Sequence, residues 1–211
     1  MLTAVSAESE TDSVLDSPSD YESSSGNNGG NYCVLNPLAG TNTLSNGNLD
    51  VAGSTVSWKG RPGTIGVSSG KWYFEFTSTG NHDSMVGIGT SDAGLNGYAG
   101  ADAYGYSYYA SNGQKYNSNA GSSYGASWVS GDTIGVAFDA DNGTLVFYKN
   151  GASQGTAFTG IPTGTYFPII SNVSGGSGNV NFGQRSFKYP PGGTGGPAAT
   201  FKSLCTQNLD D

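Results

Sequence analysis

The sequence predicts an all-β fold, a sandwich of two antiparallel sheets, and three observations support this prediction. Gly accounts for 35 of the 211 residues and is interleaved with 13 Tyr and 9 Phe, whereas charged residues make up only 11% of the chain. Apolar runs are separated by Gly, Asn and Asp roughly every 8–12 residues, which is the spacing of sandwich strands and their turns. No helical period of useful length appears. One sandwich domain is therefore expected.

Seven strands follow from the apolar runs. They are expected at 71–78, 85–90, 104–110, 133–139, 144–149, 166–171 and 179–183, with weaker candidates at 49–51 and 55–58. Asp141-Asn142-Gly143 and Lys149-Asn150-Gly151 provide residues that readily adopt the positive φ of two-residue hairpin turns. Strands 133–139 and 144–149 are therefore expected to be paired neighbours.

The first 30 residues differ from the rest of the chain in charge and composition. They contain six acidic residues and no Lys or Arg, and they are rich in Ser, Asn and Gly. Such a segment buries too little apolar area to offset its ordering entropy. We expect residues 1–30 to form an irregular acidic arm, and residues 31–211 to form the β-sandwich with a C-terminal return strand within 201–209.

A series of motifs in the second segment resembles the SPRY domain. The series includes GKWYFEF at 70–76, VGIG at 86–89, GDTIGVAFDADNGTLVFYKNG at 131–151 and VNFGQRSF at 180–187. The resemblance covers residues 50–187 and depends on the order and spacing of the whole series. It implies a bent antiparallel β-sandwich of the SPRY or concanavalin A-like jelly-roll type, in agreement with the strands predicted above.

Two flanking segments carry a second resemblance. NYCVLNPL at 31–38 and FKSLCTQNL at 201–209 are similar to segments that frame SPRY-like modules in structural proteins of tailed bacteriophages. This implies a non-enzymatic virion protein, a fibre or a tail or capsid appendage, that docks on proteins or attaches to a host surface glycan or protein. The arm would bind other virion proteins, and a homo-oligomer is expected. The alternatives are a carbohydrate-binding lectin-like module and, third, a lectin-fold glycosidase.

The predicted domain has few groups suited to catalysis. Glu75 is its single Glu, whereas a glycosidase needs two carboxylates, and His82, the only His, is not accompanied by a Gly-x-Ser-x-Gly elbow. Asp139 and Asp141 imitate the start of a calcium loop, but the downstream Glu is missing and a turn explains them better. No catalytic residue, cofactor or metal site is predicted, and the chain is not expected to be an enzyme.

Charge and hydropathy argue against nucleic acid and membrane as partners. The net charge is −8, and residues 31–211 contain ten acidic and eight basic residues without a dense basic stripe. No apolar run approaches the 18 or so residues that a spanning helix needs. We therefore expect neither nucleic-acid binding nor membrane insertion.

Two cysteines, Cys33 and Cys205, lie near the two ends of the predicted domain. The termini of a domain are often close together, so a disulfide is feasible. Separate buried cysteines are the favoured alternative, because assembly inside a cell would keep the thiols reduced, but a disulfide stays open.

Tyrosines are concentrated between residues 98 and 128. A tyrosine ring offers a rigid apolar plate with a hydrogen-bonding tip, which suits contact with sugars or proteins. Tyr104, Tyr106 and Tyr108 alternate along one predicted strand and are expected to pack in the core. The candidate ligand- or partner-binding residues are those in predicted loops, because loops carry most binding contacts: His82, Tyr98, Tyr116 and Tyr124.

Overall fold

The structure, a computed structural model, describes residues 31–53 and 56–209, and the predicted all-β sandwich is confirmed. These residues form 14 β-strands in two sheets and a short 3₁₀ helix at Thr206–Asn208, and they contain no α-helix. Residues 1–30 lie outside the described residues, so the acidic arm and the domain boundary at residue 31 stay predictions.

The larger sheet has eight strands and the smaller sheet has six. The larger sheet contains β1 (Thr43–Ser45), β2 (Asp50–Ala52), β4 (Lys71–Ser78), β9 (Thr133–Asp139), β10 (Thr144–Lys149), β11 (Ala152–Phe158), β13 (Ser177–Asn181) and β14 (Lys202–Ser203). The smaller sheet contains β3 (Lys59–Pro62), β5 (Ser84–Gly89), β6 (Gly105–Tyr109), β7 (Gln114–Asn117), β8 (Ala120–Ser123) and β12 (Phe167–Asn172). Their orders are β1-β2-β13-β4-β9-β10-β11 and β3-β12-β5-β6-β7-β8. All pairs of strands are antiparallel except β14, which lies parallel to β4.

The predicted hairpin of strands 133–139 and 144–149 is confirmed as the neighbouring strands β9 and β10. Its turn has four residues rather than two, and Gly143 within it has a φ of 59°. The turn from β10 to β11 does have two residues, Asn150 with φ of 48° and Gly151 with φ of 81°. Gly has no Cβ that opposes positive φ, and Asn tolerates it better than most residues, so both turns follow from the local sequence.

Several strands have no counterpart in the predicted set, because their sequences carry no apolar alternation. β1, β7, β8 and β11 were not expected, and β3 begins at Lys59, directly after the predicted strand at 55–58. β14 lies within the segment 201–209 in which a C-terminal return strand is expected. All four residues of β8, AGSS, are exposed. β3 contains Arg61, which is buried because its guanidinium donates hydrogen bonds to the backbone carbonyls of Asn36 and Ala39.

The core lies between the two sheets and is rich in aromatic residues. Trp128, Tyr108 and Phe147 are among the largest fully buried side chains. Of the tyrosine stripe that we expect in the core, Tyr108 is fully buried and Tyr106 packs against the buried cluster. Tyr104 is 49% exposed, because it precedes β6 and lies in a loop.

The outer face of the larger sheet is covered by the C-terminal segment, which we define as residues 184–195. Glu75 on β4 is only 3% exposed, and its carboxylate accepts hydrogen bonds from the backbone N–H groups of Lys188 (2.9 Å) and Tyr189 (2.7 Å). The ring of Phe187 packs against Tyr73 with a centroid distance of 5.0 Å. Glu75 therefore has a structural role: it holds this segment on the sheet.

The two ends of the described domain meet beside the larger sheet. Tyr32 forms a β-bridge with Cys205, and the Cys33 N–H donates to the Leu204 carbonyl at 2.9 Å. Cys33 and Cys205 are both buried and both carry free thiols. Burial raises the pKa of Cys33 to about 11, so its thiol stays protonated at neutral pH. Of the two possibilities that the sequence leaves open, the structure contains separate buried cysteines.

Candidate partner-binding surface

Loops from both sheets meet at one end of the sandwich, which we call the loop end. Its described loops are 56–58, 79–83, 110–113, 124–132 and 173–176. Backbone hydrogen bonds hold these loops together: the Trp128 N–H donates to the Ala110 carbonyl at 2.9 Å, and the Val173 N–H donates to the Asp83 carbonyl at 3.2 Å. The loop end is therefore a continuous surface rather than a set of separate loops.

Four aromatic rings meet on the outer face of the smaller sheet, beside the loop end. We call Trp58, Tyr98, Tyr109 and Tyr116 the aromatic cluster, and all of them are half-buried. Trp58 lies 5.9 Å from Tyr98 and 5.5 Å from Tyr109 between ring centroids, and Tyr116 lies 5.5 Å from Tyr98 and 6.1 Å from Tyr109. All contacts are edge-to-face, the arrangement that aromatic quadrupoles favour.

The loop between β5 and β6, residues 90–104, carries Tyr98 to this face. The Ala99 N–H donates to the Ser171 hydroxyl at 3.0 Å, and the Ser107 hydroxyl donates to the Ala99 carbonyl. Ala99 also packs against Ile169 in a small buried cluster. These contacts fix the loop on β12 and β6, so the ring of Tyr98 is positioned against Tyr116 rather than left free in solvent.

Two predicted site residues, Tyr98 and Tyr116, are thus brought together. The Tyr98 hydroxyl donates to Asn119 Oδ1 at 2.6 Å, and the Tyr116 hydroxyl donates to Gln114 Oε1 at 3.0 Å. Burial, with a smaller contribution from neighbouring Tyr116, raises the pKa of Tyr98. The Tyr98 ring is consequently held neutral, and both rings are oriented by hydrogen bonds to their hydroxyls.

A third predicted residue, His82, is exposed at the loop end. Its Nδ1 lies 3.4 Å from the Trp128 carbonyl oxygen, and the next residue along the chain, Val129, is 45% exposed. Burial raises the pKa of Tyr109, and the nearby Asp83 carboxylate adds to the increase while a hydrogen bond with Ser111 opposes it. His82 and Asp83 therefore form a polar rim next to the aromatic cluster.

The fourth predicted residue, Tyr124, has its contacts with the core. Its ring lies 5.3 Å from that of Tyr108 and 5.9 Å from that of Phe147. Its hydroxyl donates to the Gly155 carbonyl at 2.6 Å and accepts from the Phe147 N–H at 3.1 Å. Burial raises its pKa to about 12, despite the opposing hydrogen bond from Phe147. These contacts explain Tyr124 as a packing residue, and a binding role for it stays a prediction.

Sequence reasoning missed Trp58 and Tyr109. The signal for Tyr109 was present, because side chains alternate along a strand and a core-facing Tyr108 places its neighbour on the opposite face. Trp58 lies just before β3, and only the fold brings it to Tyr109.

The calcium-like sequence at residues 139–143 is a turn held by protein groups. Asp139 forms an ion pair with Lys71 at 3.0 Å, and Asp141 Oδ1 accepts from the Gly70 N–H at 2.7 Å. Partial burial alone would raise the pKa of Asp139, but hydrogen bonds from Asn142 and Lys71 hold it below its ordinary value. Among residues 31–53 and 56–209, no group of three or more His, Cys, Asp or Glu could hold a metal ion.

The two-sheet sandwich with its loop-end surface defines the class of protein. The SPRY domain family matches residues 71–185, more than half of the chain, and the chain belongs to this family. The predicted SPRY resemblance is thereby confirmed. The fold is similar to the crystal structure of the SPRY domain of human HERC1, with a TM-score of 0.60 and 21% identity over 69% of this chain and 94% of that chain.

Curated relatives share part of the chain. The E3 ubiquitin-protein ligase RKP of Arabidopsis thaliana is 46% identical over 83 residues, which are 37% of this chain and 6% of that protein. Ran-binding protein 10 of Danio rerio and Ran-binding protein 9 of Homo sapiens are each 35% identical over 130 residues, 59% of this chain and 21% and 18% of those proteins. The chain therefore spans less than a quarter of the length of these relatives.

The relatives correct the predicted function and location. The expectation of a bacteriophage virion structural protein, located in the virion, is wrong, because the matched relatives are cellular proteins of a plant and of animals. The short flanking segments that suggested it were too few residues to identify a source. A host-glycan partner, a homo-oligomer and the lectin and glycosidase alternatives likewise find no support among these relatives. In the described part of the chain, no helix is long and apolar enough to cross a membrane.

Proposed function

We propose that this SPRY domain binds a segment of a partner protein, and that the aromatic cluster with its polar rim is the binding surface. SPRY domains generally serve as protein-interaction modules, and membership of the family supports this role. Two relatives are called Ran-binding proteins, but the match covers only about a fifth of each. Only the binding of a protein partner is carried over, not the identity of that partner.

The observation that carries the proposal is the preformed group of four half-buried rings on an outer sheet face. Rings that are already packed edge to face and hydrogen-bonded lose little conformational entropy when a partner contacts them. Aromatic residues are also the side chains that most often dominate binding energy in protein interfaces.

The surroundings of the cluster favour an apolar anchor residue in the partner. Val56 and Val129 at the loop end are 93% and 45% exposed and add accessible apolar surface there. His82 and Asp83 provide hydrogen-bonding groups beside them. An extended segment with an apolar side chain over the rings and polar groups at the rim fits this chemistry.

The proposal is tested by selecting peptides from a random library on the full chain and measuring their affinities by calorimetry. Tyr98→Ala and Tyr116→Ala should each weaken binding by about tenfold or more, as expected for residues at the centre of an interface. Leu38→Ala, which truncates a side chain 94% exposed outside the loop end, is the matched control and should bind like the wild type. Equal affinities of the folded Tyr98→Ala, Tyr116→Ala and wild-type proteins would refute this binding surface.

A further inference from the structure

A second concave site lies at the end of the sandwich opposite the loop end. It is a cavity of about 550 Å³ between the loop 90–104 and the loop 159–166 that joins β11 to β12. Its walls include Asp92, Tyr104, Tyr106 and Tyr166, and we call it the tyrosine cavity. The volume is in the range that accommodates small ligands or one or two residues of a peptide.

Three tyrosines line it: Tyr104 and Tyr106 are accessible at the surface, whereas Tyr166 is only 4% exposed and supports the wall from the core. Tyr106 and Tyr166 lie 6.2 Å apart between centroids, with their planes inclined by 57°. The Tyr166 hydroxyl donates to the Pro162 carbonyl at 3.0 Å, which fixes both the ring and the loop that carries it. Tyr104 is 49% exposed, and the Thr90 N–H donates to its carbonyl at 3.0 Å. Hydrogen bonds therefore fix the Tyr166 ring on one side of the cavity and the backbone at Tyr104 on the other.

The cavity carries a negative charge and no positive charge among its described lining residues. Asp92 is the only charged residue among the described residues that line it, and no Lys or Arg is among them. Asp92 is exposed, and its carboxylate has no hydrogen bond or ion pair with the described residues. Its backbone N–H donates to Thr90 Oγ1 at 3.3 Å. Asp102, by contrast, accepts hydrogen bonds from the N–H groups of Gly94 (2.8 Å) and Tyr104 (2.9 Å).

We propose that the tyrosine cavity binds an arginine side chain of a partner protein, with the guanidinium against the tyrosine rings and bonded to the Asp92 carboxylate. Tyrosine faces attract cations, and a free carboxylate completes the site for one. Guanidinium suits it better than ammonium, because it is planar, less strongly hydrated, stacks on rings and bonds a carboxylate through two N–H groups. An anionic ligand would meet an uncompensated carboxylate and no cation.

This site is separate from the aromatic cluster, so each proposal can fail alone. The probe is the capped peptide acetyl-Gly-Arg-Gly-amide, titrated at millimolar concentration into the full chain and followed by amide NMR shifts. We expect saturable shifts in residues that line the tyrosine cavity. The same peptide with citrulline in place of arginine, which has nearly the same shape without the charge, should cause none.

Variants assign the binding to individual residues. Asp92→Asn and Tyr104→Ala change exposed side chains and should each weaken arginine binding by about fivefold or more, since charge-assisted and cation–π contacts contribute roughly 1 kcal/mol or more. Leu38→Ala should bind the peptide like the wild type. Equal binding of the citrulline peptide, equal binding of a lysine peptide, or unchanged affinity in Asp92→Asn would overturn the proposal. Loss of the shifts in Tyr116→Ala would also overturn it, because the arginine would then bind at the aromatic cluster.

Discussion

The outer face of the larger sheet is covered by other residues of the chain, whereas the outer face of the smaller sheet is partly accessible. On the larger sheet, Tyr73 and Glu75 are buried under the C-terminal segment. The Glu75 carboxylate accepts hydrogen bonds from two backbone N–H groups of that segment. On the smaller sheet, the loop 90–104 covers only part of the face and leaves Tyr109 and Tyr116 half-exposed. Similar residue types thus hold the fold together on one face and stay accessible on the other. The difference arises from what covers each face and not from composition.

The largest expected effect lies on the covered face. Glu75→Ala should lower the free energy of unfolding by roughly 2–5 kcal/mol, because the buried Tyr73 hydroxyl and the partly buried N–H groups of Lys188 and Tyr189 lose their acceptor. A buried donor left unpaired costs about 1–3 kcal/mol. Chemical denaturation of the full chain measures this loss. Peptide affinity at the aromatic cluster should stay unchanged while the protein is folded.

The matched variant on the open face is Tyr116→Ala, which should cost less than about 2 kcal/mol of stability, since its ring is only half-buried. If Tyr116→Ala cost as much stability as Glu75→Ala, the two faces would not differ in their contribution to the free energy of unfolding.

The sequence predicts the scaffold better than the surface, for a physical reason. β9 and β10 follow from apolar runs and from turns that contain Asn-Gly, which are signals within a few residues of each other. The aromatic cluster depends on a contact between Ala99 and Ser171, which are 72 residues apart in the chain. Loop composition identified Tyr98 and Tyr116 as candidates, but it carries no information on which rings meet.

The edge of the smaller sheet permits a sharper test of the open face. A Cβ atom at Gly121 on β8 would lie 2.7 Å from Tyr116 Cζ and 2.8 Å from Cε1, so Gly121→Ala must displace that ring. The backbone there needs no positive φ, and we expect the free energy of unfolding to change by less than about 1 kcal/mol. Affinity for a selected peptide should nevertheless fall by about fivefold, equivalent to roughly 1 kcal/mol.

Ser122→Ala is the control for this variant, since its exposed side chain lies on the opposite side of the same strand. It should leave both stability and affinity unchanged. Wild-type affinity in Gly121→Ala would mean that the position of the Tyr116 ring does not matter for binding.

The smallest expected effect concerns an ion pair in the larger sheet, where Asp139 at the end of β9 is paired with Lys71 at the start of β4. Hydrogen bonds from Asn142 and Lys71 outweigh the effect of burial and hold the pKa of Asp139 below its ordinary value in the folded protein. The folded state therefore binds this proton less tightly than the unfolded chain. The pair contributes its stability above the unfolded-state pKa of about 3.9, and that contribution is lost as the pH falls through the lower folded-state value.

Because Lys71 is 36% exposed, the contribution should be less than about 1 kcal/mol. Melting temperatures measured between about pH 7 and pH 2 should fall less steeply for Asp139→Asn than for the wild type, and Lys71→Met should flatten the curve in the same direction. An unchanged slope in both variants would show that acid sensitivity originates elsewhere. If Asp139→Asn lowered the free energy of unfolding at neutral pH by more than Glu75→Ala does, this turn would be the main polar support of the larger sheet, rather than the segment held by Glu75.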